Sequence, residues 1–466
     1  MNNNHNNLDI SSKLLALSPI HFLGIGGSGM APLAELSASW GAKISGSDLV
    51  PPSWLDSKLF FKQGESGEES AIRTANTVVF SSAISKDNAA LTLSQKLGKT
   101  LMHRSDLLAL FSNNSRTVAV AGTHGKTTTS ALVAHVLSQL DQNPSWIIGA
   151  SFADGGAAFG RGSSELLVIE ADESDGSFVK YQPFISVVNN IEPDHMDFYL
   201  NEANLRATFG KFLSQTKPGG AIVFNADDPT TALLASQSGH KHFGFGMGPS
   251  ADVRLLHARS SGLSTMGEVA LDGKSFTFRL PLPGLHNAFN AVAAITACYA
   301  MGLDHQSCAM ALNNFPGVSR RLQRYKTKSG ALIFDDYAHN PGKIGSCLSG
   351  LSAAFPDKRI LAVFQPHRFS RISSLYDQFV TSFRAPRVRV VVLPVYASGE
   401  PHSPDFPPDR IARDIALGSG VETFHADSLK AAGDLVKSLM DPDLDLLVTI
   451  GAGDVWRVAK DVSSHL

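Results

Sequence analysis

Cysteine is scarce in this 466-residue chain: Cys298, Cys308 and Cys347 are the only three, and there is no C-x-x-C. An odd, unclustered set argues against a disulfide framework and a zinc knuckle, and fits a reduced cytosolic compartment. Charge of one sign is scarce too. Forty Lys and Arg stand against 42 Asp and Glu, so the chain lacks the strongly basic face of a nucleic-acid binder. No apolar run of 18 or more residues escapes polar interruption, so neither a transmembrane helix nor membrane insertion is expected. The opening MNNNHNNLDISS lacks the basic-then-apolar order of a signal peptide and reads as a disordered polar tail over residues 1–15. Together these absences point to a soluble, cytoplasmic protein. Its length predicts two to four domains, and the residues set no oligomeric state.

What is present is a repeated alternation of short apolar runs with helical periods. IHFLGI, AKISGS and TVVFSS form a first α/β series, and the polar SNNSR (112–116) reads as a linker. RTVAVAG, LLVIEA, ISVVNNI and AIVFNAD form a second. From about 251 to 282 the runs alternate apolar and polar residues between glycine-containing turns, which predicts an antiparallel patch on a parallel sheet. An Ala-rich helix follows from Asn287 to Met301. After FPGVSRRLQR (315–324), the runs ALIFDDYA, RILAVFQP, VRVVVLPVY and DLLVTIGAGD make a third series.

Two glycine-rich loops carry the chemistry. In HFLGIGGSGM, Gly24, Gly26 and Gly29 form a G-x-G-x-x-G between a strand and a helix. Asp48 closes the next strand-like run, where a dinucleotide-binding fold puts its ribose-binding acid. Read alone, this is an NAD site. A second loop, AVAGTHGKTTT (119–129), also joins a strand to a helix. Gly122 and Gly125 let backbone N–H groups turn toward phosphate oxygens, Lys126 can bridge the β- and γ-phosphates, and the Thr127 hydroxyl can ligate Mg²⁺. Val120 stands where the strict phosphate-loop pattern has glycine. Glu170, at the end of LLVIEA, is the type of acid that holds Mg²⁺ beside such a loop. Asp172, Glu173 and Asp175 compete with it, and each can equally be a surface acid.

GTHGKTTT, EADESD, NNIEPDHMD, GLHNAFNA, DDYAHNP and FQPHRFSR, in this order along nearly the whole chain, resemble the ADP-forming Mur ligases of peptidoglycan synthesis. The resemblance is to the branch that adds the first amino acid, with the branch that attaches a recycled tripeptide as alternative. A P-loop ATPase or kinase with a regulatory nucleotide domain is the more distant one. The fold it implies is three α/β domains: an N-terminal Rossmann-like UDP-sugar-binding domain (16–112), a central P-loop ATPase-like domain with a mainly parallel sheet and a small antiparallel patch (113–318), and a C-terminal Rossmann-like domain that closes on the substrate (319–466).

The resemblance also replaces NAD by a UDP-sugar at the first loop, with Gly24, Gly26, Gly27, Ser28 and Gly29 at the diphosphate and Asp48 near the uridine. It implies phosphorylation of the carboxylate of UDP-N-acetylmuramate by ATP, then attack of the L-alanine amine on the acyl phosphate. ATP would be held by Gly122, Thr123, His124, Gly125, Lys126, Thr127 and Thr128. His286, Asn287 and Asn290 would face the adenine, Arg321 the phosphates and Asp336 the ribose. Mg²⁺ would sit on Thr127 and Glu170, with a second ion on His195. Tyr337, His339, His367, Arg368 and Arg371 would form the substrate wall, the two arginines sharing one helical face as an anion clamp. Lys126, Glu170, His195 and Arg371 are thus the implied catalytic set. The sequence departs from the family twice. The metal-bridging lysine of sister ligases is absent near Phe209 (Lys211 is the nearest lysine), and Asn340 replaces a second histidine after His339.

Overall fold

The computed structural model describes residues 4–52 and 55–466, with side chains from residue 10 onward. Its strands form three sheets, and the chain divides into two compact units. The first takes in residues up to 256 with 268–278 and 289–312; the second comprises 257–267, 279–288 and 313–466.

The first unit opens with a correction. Residues 4–17 form a helix where a disordered tail over 1–15 was expected; residues 1–3 lie outside the described residues. Ile10 and Leu14, four apart and so on one helical face, are both buried in the core, which gives this polar segment its reason to order. The five-stranded sheet runs Phe60–Lys62, Ile44–Asp48, Ile20–Leu23, Thr77–Phe80, Thr100–His103, and every neighbouring pair is parallel. Strand order reverses at Ile20–Leu23, so the chain leaving that strand enters the crevice where such sheets bind ligands.

The ten-stranded sheet has Arg116–Ala121 inside it, between Leu166–Glu170 and Ile185–Val188, both parallel to it. Parallel strands expose their carboxyl ends at one edge. Val120 lies level with Glu170 and Ala121 with Val188, so the second glycine loop, Glu170 and the segment after Val188 emerge side by side. The apolar runs are buried on both faces, as a parallel sheet covered by helices requires. Val253–Ser261, Ser264–Leu271 and Lys274–Leu280 extend the sheet as neighbours; their two-residue links can join only antiparallel strands.

In the second unit, Gln323–Tyr325 pairs antiparallel with Leu332–Asp336. Asp445–Ile450, Arg359–Phe364, Val388–Val392 and Glu422–His425 then follow, all parallel. Strand pleating divides the core in two. Ile360, Ala362 and Phe364 face one cluster, Leu361 and Val363 the other. Asp336, Ile450, Phe364 and Val392 are level, which brings the segments after them together at the carboxyl edge.

Candidate active site

The second glycine loop follows Ala121 and opens the helix Lys126–Gln139. Gly125 adopts φ +80, and a Cβ there would lie 2.4 Å from Asn290 Oδ1 and 2.8 Å from Asn189 Nδ2, so only glycine fits. Three residues hold the loop in shape: the His124 N–H donates to Asn190 Oδ1 (2.8 Å), Thr123 Oγ1 donates to the Glu192 carbonyl (3.1 Å), and Asn189 Nδ2 donates to Thr129 Oγ1 (3.0 Å). Asn189 and Asn190 therefore shape the site, although only their place in NNIEPDHMD, directly after a strand, signals it.

Lys126 Nζ donates to Glu173 Oε2 (2.7 Å) and to the Gly122 carbonyl (2.8 Å), with Asp172 at 3.9 Å. Burial works against its charge, but Glu173, Asp172 and Glu170 outweigh it and hold the ammonium above its usual pKa. Glu173 is no surface acid: it is 1% exposed, and its Oε1 has no hydrogen-bond partner among the described residues. Glu170 behaves differently. Its Oε2 accepts the Gly149 N–H (2.9 Å), and a Cβ on Gly149 would lie 2.2 Å from that oxygen and 2.9 Å from Thr127 Oγ1. The carboxylate and the hydroxyl thus approach one point, kept open by a glycine, and two hard oxygen donors beside a phosphate loop suit Mg²⁺. His195 starts the helix Met196–Tyr199 at φ +55, its ring 4.0 Å from Asp194. Among the described residues no three His, Cys, Asp or Glu gather to hold a metal ion. Asn290 belongs to the loop's supports, accepting from Thr129 Oγ1 at 3.3 Å.

At the first loop, Gly24 takes φ +72, and Gly26, Gly27 and Ser28 are exposed. Asp48 grips the loop itself: Oδ2 accepts the Gly26 N–H (2.8 Å) and Oδ1 the Leu49 N–H (2.7 Å). Arg104, absent from every motif, places Nη1 3.4 Å from where a Cβ on Gly29 would be, a cation beside a loop suited to phosphates.

In the second unit, Asp336 accepts the Leu322 and Ala338 N–H groups (2.9 and 2.8 Å). The Arg320 and Arg321 guanidiniums lie over the Tyr337 ring, 4.9 and 5.3 Å from its centre. His286 is exposed in the first turn of Leu285–Ala300, and Asn287 Nδ2 donates to the Pro283 carbonyl (2.8 Å). Asn340 caps the helix Pro341–Ala354 by accepting the Lys343 N–H at 3.0 Å, which accounts for that residue. Burial, then Lys343 and Arg371, depress the His339 pKa well below its ordinary value. Arg371 Nη1 donates to His367 Nδ1 (3.0 Å), so that nitrogen is an acceptor and the ring is neutral. Burial and the charges of Arg371 and Arg368 take the His367 pKa down to about 4. The shared helical face of the two arginines is corrected here. The Arg368 N–H donates to the Tyr396 carbonyl, which holds Arg368 at φ +68, outside the helix Phe369–Ser374.

Three family models match in succession: "Mur ligase family, catalytic domain" over residues 19–116, "Mur ligase middle domain" over 120–298, and "Mur ligase, glutamate ligase domain" over 320–453. A UDP-N-acetylmuramate--L-alanine ligase from Salinispora arenicola is 38% identical, covering 94% of this chain and 86% of that one. The chain belongs to the Mur ligase family. A ligase of the same name from Streptomyces griseus is 37% identical over 97% of this chain and 98% of its own. Among solved structures, the UDP-N-acetylmuramate-alanine ligase of Thermotoga maritima superposes with a TM-score of 0.78 at 26% identity, covering 96% of this Mur ligase and 98% of that chain. A murein peptide ligase from Psychrobacter arcticus shares the fold, with a TM-score of 0.67 at 21% identity and the same coverages. At the position where the resemblance implies a metal-bridging lysine in sister ligases, Phe209 is wholly buried against Phe178, ring centres 5.1 Å apart, and Lys211 is exposed. Among the described residues no helix is long and apolar enough to cross a membrane.

Proposed function

We propose that this Mur ligase joins L-alanine to UDP-N-acetylmuramate at the expense of ATP, in the cytoplasm, as a step of peptidoglycan precursor synthesis. The observation that carries the reading is the meeting of Thr127 Oγ1 and Glu170 at Gly149, beside Lys126 on a phosphate-type loop. The names of the curated relatives at 37–38% identity support the choice of substrates. Residues 16–112 serve the UDP-sugar and residues 113–318 ATP, while 319–466 carry the group that acts on the reacting carboxylate.

A carboxylate and a protonated amine do not condense in water, because the oxyanion is a poor leaving group. Lys126 neutralises the γ-phosphoryl as it passes to the lactyl carboxylate, giving an acyl phosphate and ADP. The free amine of L-alanine then attacks the acyl carbon, and the tetrahedral intermediate expels phosphate as the amine loses its proton. Mg²⁺ on Thr127 and Glu170 would supply further neutralisation of the phosphate oxygens. His195, its ring 4.0 Å from Asp194, would hold a second Mg²⁺ that neutralises the substrate carboxylate. Glu173 keeps Lys126 oriented, and its buried carboxylate needs that lysine as counter-ion. Arg371, aimed by the neutral His367, neutralises the oxyanion of the tetrahedral intermediate, with Arg368, Tyr337 and His339 lining the same wall. By the family resemblance, His286, Asn287, Arg321 and Asp336 are the second unit's candidates for nucleotide contact.

The test is mass spectrometry of products formed from ATP, UDP-N-acetylmuramate and a mixture of amino acids with the recycled tripeptide. The L-alanyl adduct and ADP are the expected products. A tripeptide adduct in its place would assign the chain to the recycling branch, and ADP without any adduct would make it an ATPase.

A further inference from the structure

The loop bearing His367, Arg368 and Arg371 is gripped by a second segment, residues 396–400, to which no motif or step of the reaction assigns a part. The Tyr396 N–H donates to the Pro366 carbonyl (2.8 Å), and the Tyr396 carbonyl accepts the Arg368 N–H (2.9 Å), a short parallel bridge between the two segments. The Tyr396 ring lies flat on the His367 imidazole, with centres 5.6 Å apart and planes inclined by 8°. Beneath it is Gly453, of the otherwise unexplained GAGD: a Cβ there would lie 2.6 Å from Tyr396 Cγ and 2.4 Å from Gln365 Oε1. Gln365 ties the same turn down, donating to Asp454 Oδ1 (2.8 Å) and accepting the Val455 N–H (3.2 Å). At the far end of the segment, Glu400 accepts both the N–H and the hydroxyl of Ser370 (3.0 and 2.5 Å).

Tyr396 is 40% exposed, which is a poor position for core packing but a good one for bracing a loop. We infer that Tyr396, seated on Gly453, is a positioning residue for amide formation: its ring fixes the plane of His367 and, through His367 Nδ1, the aim of Arg371. A long arginine side chain samples many rotamers, and an acceptor held in one orientation selects among them before substrate arrives. The inference rests on the role given to Arg371 in the proposed reaction.

The test compares the full-length enzyme with Tyr396→Ala, Tyr396→Phe, Gly453→Ala, Arg371→Ala and the Tyr396→Ala/Arg371→Ala double variant. Assays are amide formation, calorimetric ATP and UDP-sugar binding, and the imidazole proton resonance of His367. Losing one aromatic stack should lower kcat about tenfold in Tyr396→Ala. Tyr396→Phe should retain activity, and Gly453→Ala, which crowds both the ring and Gln365 Oε1, should lose at least as much as Tyr396→Ala. In the Tyr396 variants nucleotide affinities and thermal midpoints should stay close to those of the parent. The ring-current shift of His367 should vanish in Tyr396→Ala and persist in Tyr396→Phe, and the double variant should be no slower than Arg371→Ala. Additive losses in the double variant, or full activity in Tyr396→Ala, would overturn the positioning role alone. A parent enzyme that forms no alanyl adduct would instead overturn the proposed reaction.

Discussion

Gly149→Ala separates the chemistry of the site from the stability of the fold. The φ of Gly149 lies outside the left-handed region, so alanine can adopt its backbone and only the methyl matters. That methyl would stand 2.2 Å from Glu170 Oε2, whereas ordinary contact begins at 3.4 Å, so the carboxylate must retreat by about 1.2 Å. Glu170 Oε2 is the end of a flexible, half-exposed side chain, and its retreat breaks the hydrogen bond from the Gly149 N–H. Loss of that bond should lower stability by about 1 kcal/mol, small beside the effect on turnover. For catalysis the same displacement is large, because ligand distances at a metal site hold to within about 0.2 Å. Thr127 Oγ1, 2.9 Å from the new methyl, is crowded as well. Losing a preorganised charge contact of this kind costs roughly a hundredfold in kcat, or about 2.7 kcal/mol. Steady-state phosphate release and thermal unfolding, measured on one preparation, check both halves. Near-parental kcat at saturating Mg²⁺ would refute the Thr127–Glu170 site, and a collapse in stability would refute the claim that Glu170 can simply swing aside.

Lys126→Ala should lose at least about a hundredfold in kcat and also several kcal/mol of stability, because it strands the buried Glu173. Adding Glu173→Gln should restore the unfolding midpoint but not the turnover, and recovery of both would remove Lys126 from the reaction. Arg371→Ala should leave ATP and UDP-sugar affinities within a few-fold while depressing amide formation about a hundredfold; weakened binding at unchanged kcat would make it a ground-state contact. His21, wholly buried between the Ser45 and Ser47 hydroxyls, has its pKa lowered by burial from 6.5 to about 4. The unfolded chain takes up this proton first, so the stability linked to neutral His21 is complete above pH 6.5. It is lost as pH falls toward 4, by on the order of 3 kcal/mol. Chemical denaturation of parent and His21→Gln between pH 7 and 4 should show the steeper decline in the parent. Parallel declines would contradict it.

The glycine loops, the order of strands and helices, and the burial of the parallel strands on both faces are properties of neighbouring residues, and the sequence by itself determined them. Gly122, Gly125, Lys126 and Thr127 are legible for that reason: a strand, a turn needing positive φ and a helix start are set within ten residues. The motifs in register likewise identify the family. Partners far apart in the chain are another matter, because they meet only through crossovers and strand register. Nothing in EADESD separates Glu170, bonded at Gly149, from Glu173, buried on Lys126 47 residues away in sequence. The tertiary structure decides it through the level alignment of Val120 with Glu170. The same holds for Asn189 beneath the second loop, for Asp48 turned onto Gly26, and for Arg368, pulled out of its helix by the Tyr396 carbonyl. The N-terminal helix is the converse case, since its polar composition favours disorder. Ile10 and Leu14 order it only because the folded domain offers them a core to enter.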